Sequence, residues 1–545
     1  MRFHALRWGL TAAVLVVAQA GAAQELGTIA FPTSGAAAAQ PAFLEGVKAL
    51  HSFQFDEAAE AFRRAQKADP DFALAYWGEA MSHNHPLWAQ QDLAKAKEAL
   101  DRLAPTHEAR LAKARLPKEK ALLEAMQVLY FSPGDKLARD IAYSEVMARM
   151  HAQWPADHEI ATFYALSLLG TVRPGDPGFR RQALAASIVQ KVFAENPKHP
   201  GAAHFIIHSF DDPDHAPLAL DAANEYAKIA PAAAHALHMP SHIYVQRGMW
   251  DQVKASNIDA YKAATDLIKR MSLPEGREDF HTLSWLAYAN LMLGQFEEAK
   301  RNVETARQTA ERNKGNRGVT NGYLGMRARH ILETAQWEKI PLAAAAPAGG
   351  DAHAHMPGMA MPQSDPSSAW TFIAGVSAAK LGDLATADAA VERLAAARQK
   401  AGSAYAAREI GILEKEVAAV ASLARGRADE AVRLAKEAAD IELTTTPPSG
   451  PPDPMKPALE LYGEILLEAN RPADAAAAFG QSLLRTPKRT PSLLGLARAS
   501  ARTGDLERAR QLYAELAATP GAASNAPAVV EAQKFLKEQT TDARR

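Results

Sequence analysis

Cysteine is absent from all 545 residues. That excludes disulfides, thiolate metal ligands, a nucleophilic thiol and a lipid-anchored cysteine. An excess of one charge is lacking too, with 61 basic residues against 62 acidic ones. Nothing in that balance draws the chain to nucleic acid or to an anionic membrane surface. Runs of alternating β-branched residues are nearly missing, which argues against a sheet protein. No G-x-S-x-G turn, Walker loop, G-x-G-x-x-G or HExxH occurs, so no standard catalytic or nucleotide-binding signature is present. Ser241 stands beside His242, but no serine sits in a recognisable nucleophile turn.

Long apolar runs are also scarce. The main one, residues 9–17, follows Arg2 and Arg7 and precedes Ala20-Gly-Ala22. It reads as a signal peptide over residues 1–23, with the mature chain starting at Ala23 or Gln24. A bilayer span needs roughly 20 apolar residues, so no membrane span is expected. The predicted location is periplasmic or secreted.

What the chain has is helical grammar, repeated. "LHSFQFDEAAEAF" (50–62), "WLAYANLMLGQFEEA" (285–299) and "ASARTGDLERA" (499–509) share one pattern, and Gly382 and Gly426 sit in similar turns. A first helix ends at a Gly-centred or polar turn, and a second helix follows with Ala and an aromatic or Leu on its inner face. Small residues let antiparallel helices approach, and Gly takes the left-handed cap. The step from Asn470 to Gly504 is 34 residues, whereas Gly382 to Gly426 and Gly426 to Asn470 are each 44, implying lengthened helices or loops. At 545 residues the chain exceeds the roughly 250–300 that one core sustains. The predicted fold class is all-α, a helix-turn-helix α-solenoid with a right-handed superhelix and irregular N-terminal repeats. It divides into an N-terminal helical domain over 24–339, a flexible His/Met-rich linker over 340–368 and a C-terminal array over 369–545. Residues 444–457 ("TTTPPSGPPDPMKP") cannot continue a helix, since proline lacks the N–H and fixes φ.

Histidine is where composition departs from a plain scaffold. Seven of the chain's 18 histidines fall between His199 and His242, a window that should hold one or two. His204 and His208 stand four apart in a helix that Pro200 opens and Pro213 ends, with Asp211 one turn on. His235, His238 and His242 lie within about 60° of one another if helical, at roughly 100° per residue. Pro240 interrupts them, either kinking one helix or starting a new one. Imidazoles at such spacing hold a metal ion, and a carboxylate completes or orients the site. Asp211, His281, His158 and Glu159 are candidate additional ligands. The competing account is structural: each histidine fills a helix–helix groove against a carbonyl or carboxylate, or contacts a bound peptide. Without cysteine, the ions that fit are zinc, copper, nickel or iron held by nitrogen and oxygen.

A second candidate lies in the linker. His353, His355, Met356, Met359 and Met361 put imidazoles and thioethers together, a set that suits copper. Two further features, His83 and His85 before Trp88, and "FYALSLLG" (163–170) with Tyr164, read as packed helix end and core.

The segments "NPKHPGAAHFIIHSFDDPDHAPLAL" and "APAAAHALHMPSHIYVQRGMWD", with "FYALSLLGT" and "MRARHILETAQW", resemble a largely uncharacterised family of exported bacterial tetratricopeptide-repeat (TPR) proteins. The resemblance covers most of residues 40–340. It implies a TPR fold, export, and a site at His204, His208, His235, His238 and His242. Some relatives carry an H-x-x-H-F pair where this chain keeps only His281, which puts a chelating role for His281 in doubt. The leading expectation is therefore an exported scaffold whose concave surface binds a protein or peptide, with a His-lined metal site. Periplasmic copper handling is the alternative, and a metal-dependent hydrolase is third; the reading leans away from an enzyme.

Overall fold

The computed structural model describes residues 25–342 and 366–542, apart from 174, 177, 275 and 278. The described chain is nearly all helix, and its only strands are the two-residue pair Asn84–His85 and Gln90–Gln91. Each helix packs chiefly against its neighbours in sequence, which is the architecture expected of stacked helix-turn-helix repeats.

The small residues do what close packing requires. The ring of Phe62, on the helix Phe55–Ala68, is wedged between Gly46 and Gly78 of the helices before and after it. A Cβ on Gly46 or Gly78 would stand 2.8 or 2.2 Å from that ring. Phe479 is held in the same way by Gly463 and Gly495, with Cβ contacts of 2.8 and 2.3 Å. In both triplets the aromatic lies sixteen residues from each glycine, so two distant parts of the chain use one packing unit. Truncating either ring to alanine would cost about 3–5 kcal/mol.

The repeat turns are left-handed, at φ +80° for Gly382, +73° for Gly426, +58° for Asn470 and +84° for Gly504. Asn470 suits that conformation because its short polar side chain tolerates it. The two 44-residue steps have different origins. One contains the 21-residue helix Ala404–Ala424, and the other the non-helical segment between the helices Ala428–Glu442 and Ala458–Glu468.

The largest core gathers residues from Leu26 to Ile243, including Phe43, Trp77, Phe163 and Phe205. Ile331 and Ile340 share a core with Trp370 and Phe372, so packing crosses the 340–368 segment. The C-terminal repeats also fold back onto helices 250–334. Arg489 is fully buried and binds Glu460 and Glu333 at 2.8 Å each, and it donates to the Tyr288 hydroxyl at 3.2 Å. Trp250 Nε1 donates to the Lys488 carbonyl (3.1 Å), and Gln246 to that of Pro448 (2.8 Å). Between these faces lies a cavity of about 750 Å³. No described helix is long and apolar enough to cross a membrane.

Candidate metal centre

Pro200 opens the helix Pro200–Ser209, which ends just before Asp211. This carries His204, buried, and His208, half-buried, on one face. Ala234–His238 and Pro240–Gln246 are two short helices, so the chain restarts at Pro240. Met239 between them keeps helical dihedrals (φ −55°, ψ −35°), which holds His238 and His242 one turn apart despite the missing N–H. His281 arrives from the first turn of Phe280–Met292.

The histidines assemble as two triads. One is His204, His208 and His235; the other is His238, His242 and His281, and within each triad the ligand atoms lie within 4.8 Å of one another. His204 Nε2 is 3.0 Å from His235 Nε2, and His238 Nε2 is 3.0 Å from both His242 Nε2 and His281 Nε2. Both triads are built alike, from an i, i+4 pair and a third imidazole on another helix. This differs from the two groupings the spacing suggested. His235 joins His204 and His208, while His281 completes the other set. Asp211 does not join the group of His204 and His208. The helix has ended at Ser209, and Asp211 instead accepts a hydrogen bond from His242 Nδ1 at 2.6 Å.

Proton positions follow from the partners. His238 Nδ1 is 2.7 Å from Asn257 Oδ1, and the Asn257 amide is oriented by donating to the Val253 carbonyl at 2.7 Å. His238 therefore carries its proton on Nδ1. His242 carries its own on Nδ1, toward Asp211. Each leaves a bare Nε2 lone pair, and the two lone pairs face each other at 3.0 Å. Two acceptors cannot hydrogen-bond to each other, so in these tautomers the contact is open to a shared cation, either a metal ion or a proton on one ring. Burial pushes His238 well below its ordinary pKa, with His242 adding to the effect, which disfavours a second proton on that ring. A metal ion fits: two nitrogens about 2.05 Å from one ion are about 3.3 Å apart at a tetrahedral angle.

In the other triad, His204 Nδ1 donates to the His51 carbonyl (2.7 Å), again exposing Nε2. His208 Nε2 is buried with no hydrogen-bond partner. Burial lowers His204 to about 3, against the opposing pull of that carbonyl, and pushes His208 and His235 well down. These imidazoles are neutral, the form that binds metal. An aromatic ring covers each triad. Phe53 is 4.4 Å from His204 and 5.3 Å from His235, and Trp285 is 4.5 Å from His242 and 5.0 Å from His238, between ring centroids. Phe53 adopts φ +53°, a conformation costing a non-glycine residue about 1–2 kcal/mol. His208, Asp211, His242 and His281 line the cavity, which gives the triads their opening.

Two candidate ligands lie elsewhere. Glu159 forms a third, separate cluster with His51 (2.7 Å) and His199 (3.1 Å), and His158 pairs with Glu195. His83 belongs to none of the clusters, while His85 packs on Phe55 at 4.1 Å. Ser241 Oγ donates to the His238 carbonyl. His353, His355, Met356, Met359 and Met361 lie outside the described residues. Sequence reasoning missed His51, Phe53 and Asn257, none of which carries a local pattern.

Residues 466–524 match the family model described as tetratricopeptide repeat. No curated protein sequence matches the chain. Among solved structures, the crystal structure of the APC/C hetero-tetramer Cut9-Hcn1 is 11% identical, with 93% of this chain and 77% of that one covered and a TM-score of 0.33. Yeast Tom70 is 10% identical, covering 92% and 88%, at a TM-score of 0.28. A human IFIT1 dimer with PPP-AAAA is also 10% identical, covering 86% and 88%, at 0.35. Scores this low say nothing of what this chain binds.

Proposed function

We propose that this chain is a metal-binding protein built on a TPR-type scaffold, with its ions held by the two histidine triads. The observation that carries the reading is the pair of buried lone pairs at His238 and His242, 3.0 Å apart with both Nδ1 protons committed elsewhere. Nitrogen-only ligation suits zinc or copper. The outer hydrogen bonds from His204, His238 and His242 are the kind that fix tautomer and ring orientation at metal ligands. A peptide or small molecule entering the cavity would meet the ions at His208, His242 and His281. Export through residues 1–23 belongs to the same proposal, and N-terminal sequencing of the mature protein from the periplasm or medium tests it.

The deciding experiment is elemental mass spectrometry on the mature protein after reconstitution with zinc or copper. His204→Ala/His238→Ala and a deletion of residues 351–361 serve as comparisons. Metal retained in the deletion and lost from the double variant supports the triads. No bound metal in the wild type would overturn the reading, leaving groove histidines and a partner-binding scaffold.

A further inference from the structure

The two triads are closer than two independent sites need be. Across the boundary between them, His208 and His242 have ring centroids 6.0 Å apart, and His235 and His238 are 6.3 Å apart. Within the triads, His208–His235 and His242–His281 are each 6.2 Å. The nearest rings of different triads are therefore about as close as the widest pair within each triad, while the other pairs within the triads stand at 4.7 to 4.9 Å. Chain geometry explains this: His235 and His238 are one turn apart on the same short helix, and each is committed to a different triad.

Charge supplies the second strand of the argument. All six ligands are imidazoles, a donor set that carries no negative charge. Two divalent ions would bring four positive charges with no carboxylate among their ligands. Asp211 stands one bond removed, on His242 Nδ1, and its Oδ1 is buried without a hydrogen-bond partner. Charge left uncompensated in a buried site is costly, so an anion must enter or the site must accept ions of lower charge. The cavity reaches the triads at His208, His242 and His281, so each triad has a ligand on the open side. Three protein ligands per ion also leave a coordination position for an outside group.

We infer that the two triads form one dinuclear centre, in which the ions held by His204–His208–His235 and by His238–His242–His281 share a small anion admitted from the cavity. This rests on the metal-binding reading and goes beyond it in number and coupling. Hydroxide and azide are anions of the right class. The centre is symmetric in ligand type, with three imidazoles per ion, so both ions are of the same kind.

The test uses the mature chain loaded with Cu(II), followed by metal analysis and electron paramagnetic resonance with spin counting, with and without azide. The expected result is two copper ions per chain and markedly fewer than two spins, because a bridged pair couples magnetically. Azide should alter the optical and magnetic signals at about one equivalent. In His281→Gln and in His208→Gln, one ion should be lost and the remaining one should regain its full spin. Wild-type protein alone decides the matter, so a misfolded variant does not blunt the test. One ion per chain would overturn the inference while leaving metal binding intact. Two ions with a full two spins, unaffected by azide, would also overturn it. No ion would sink both.

Discussion

Two buried histidine clusters in this protein differ in where their protons point. In the Glu159 cluster, His51 Nε2 and His199 Nε2 donate to the two carboxylate oxygens, and His199 Nδ1 accepts from the Ala202 N–H at 3.2 Å. Burial would raise Glu159, but the two imidazoles outweigh it and hold the carboxyl far below its usual range. Each of these three contacts joins a donor to an acceptor, and the polar atom left over is His51 Nδ1, buried with no hydrogen-bond partner. In the His238 triad the Nε2 atoms of His238 and His242 face each other instead, and the outer partners of these two rings enforce that. Histidines gathered in a core thus fall into two kinds, and the protonation pattern separates them where distance alone does not.

The sharpest way to break the comparison is to remove a ligand from each cluster. His238→Ala should abolish binding at the second triad, seen as loss of at least one metal equivalent by elemental analysis. His199→Ala should leave the metal content unchanged. Loss of metal in both, with folding intact by circular dichroism, would make the distinction false.

Glu159→Gln sharpens it from the other side. The amide supplies one acceptor and one donor where two imidazole N–H groups need acceptors. His199 cannot switch tautomer, because its Nδ1 already accepts from the backbone, and His51 could switch only by burying an N–H at Nδ1, which has no partner. One buried mismatch should cost about 1–3 kcal/mol, read as a lower urea midpoint with unchanged metal stoichiometry. An unshifted midpoint would mean the cluster tolerates the conflict.

A smaller effect is expected in the triad's outer layer. Asn257→Leu removes the acceptor that keeps the His238 proton on Nδ1. Metal affinity should fall about 10–100-fold in competition with a chelator, while Asn257→Asp should preserve it. Equal affinity in the Leu variant would argue that packing against Trp285, rather than the hydrogen bond, orients the ring.

How much of this was legible in the sequence depends on how far each signal travels along the chain. The repeats were readable because each is local: Gly or Asn in the turn, Ala along the inner faces, an aromatic between two glycines. The i, i+4 pair at His204 and His208 was readable for the same reason. The grouping was not. His281 comes from a helix separated from His242 by the whole of Trp250–Arg270, and only tertiary packing brings it within 3.0 Å of His238. Asp211 looked like a ligand on the face of His204 and His208, but the helix stops two residues earlier and turns it toward His242. Nor does His51 announce itself. Its role toward the triads lies in a backbone carbonyl, which every residue has.

The cavity repeats the comparison on a larger scale, since its wall opposite in chemistry to the histidines is acidic. Glu409, only 9% exposed, lines the cavity with Asp453 and Tyr405. Burial first, then the Asp453 charge, raises its pKa to about 8, while the Tyr405 hydroxyl pulls the other way. Because the folded-state value lies above the unfolded one, the folded protein holds this proton more tightly. Its stabilisation is full below about pH 4.5 and disappears as pH rises toward 8. Glu409→Gln keeps a neutral side chain at every pH and should flatten that part of the decline. Between pH 5 and pH 8 the wild type should lose about 2 kcal/mol more than the variant, measured by urea unfolding at both ends. Parallel losses in the two proteins would show that Glu409 ionises freely into the cavity. A carboxyl that stays neutral there would instead leave the anion-seeking charge to the histidine wall alone.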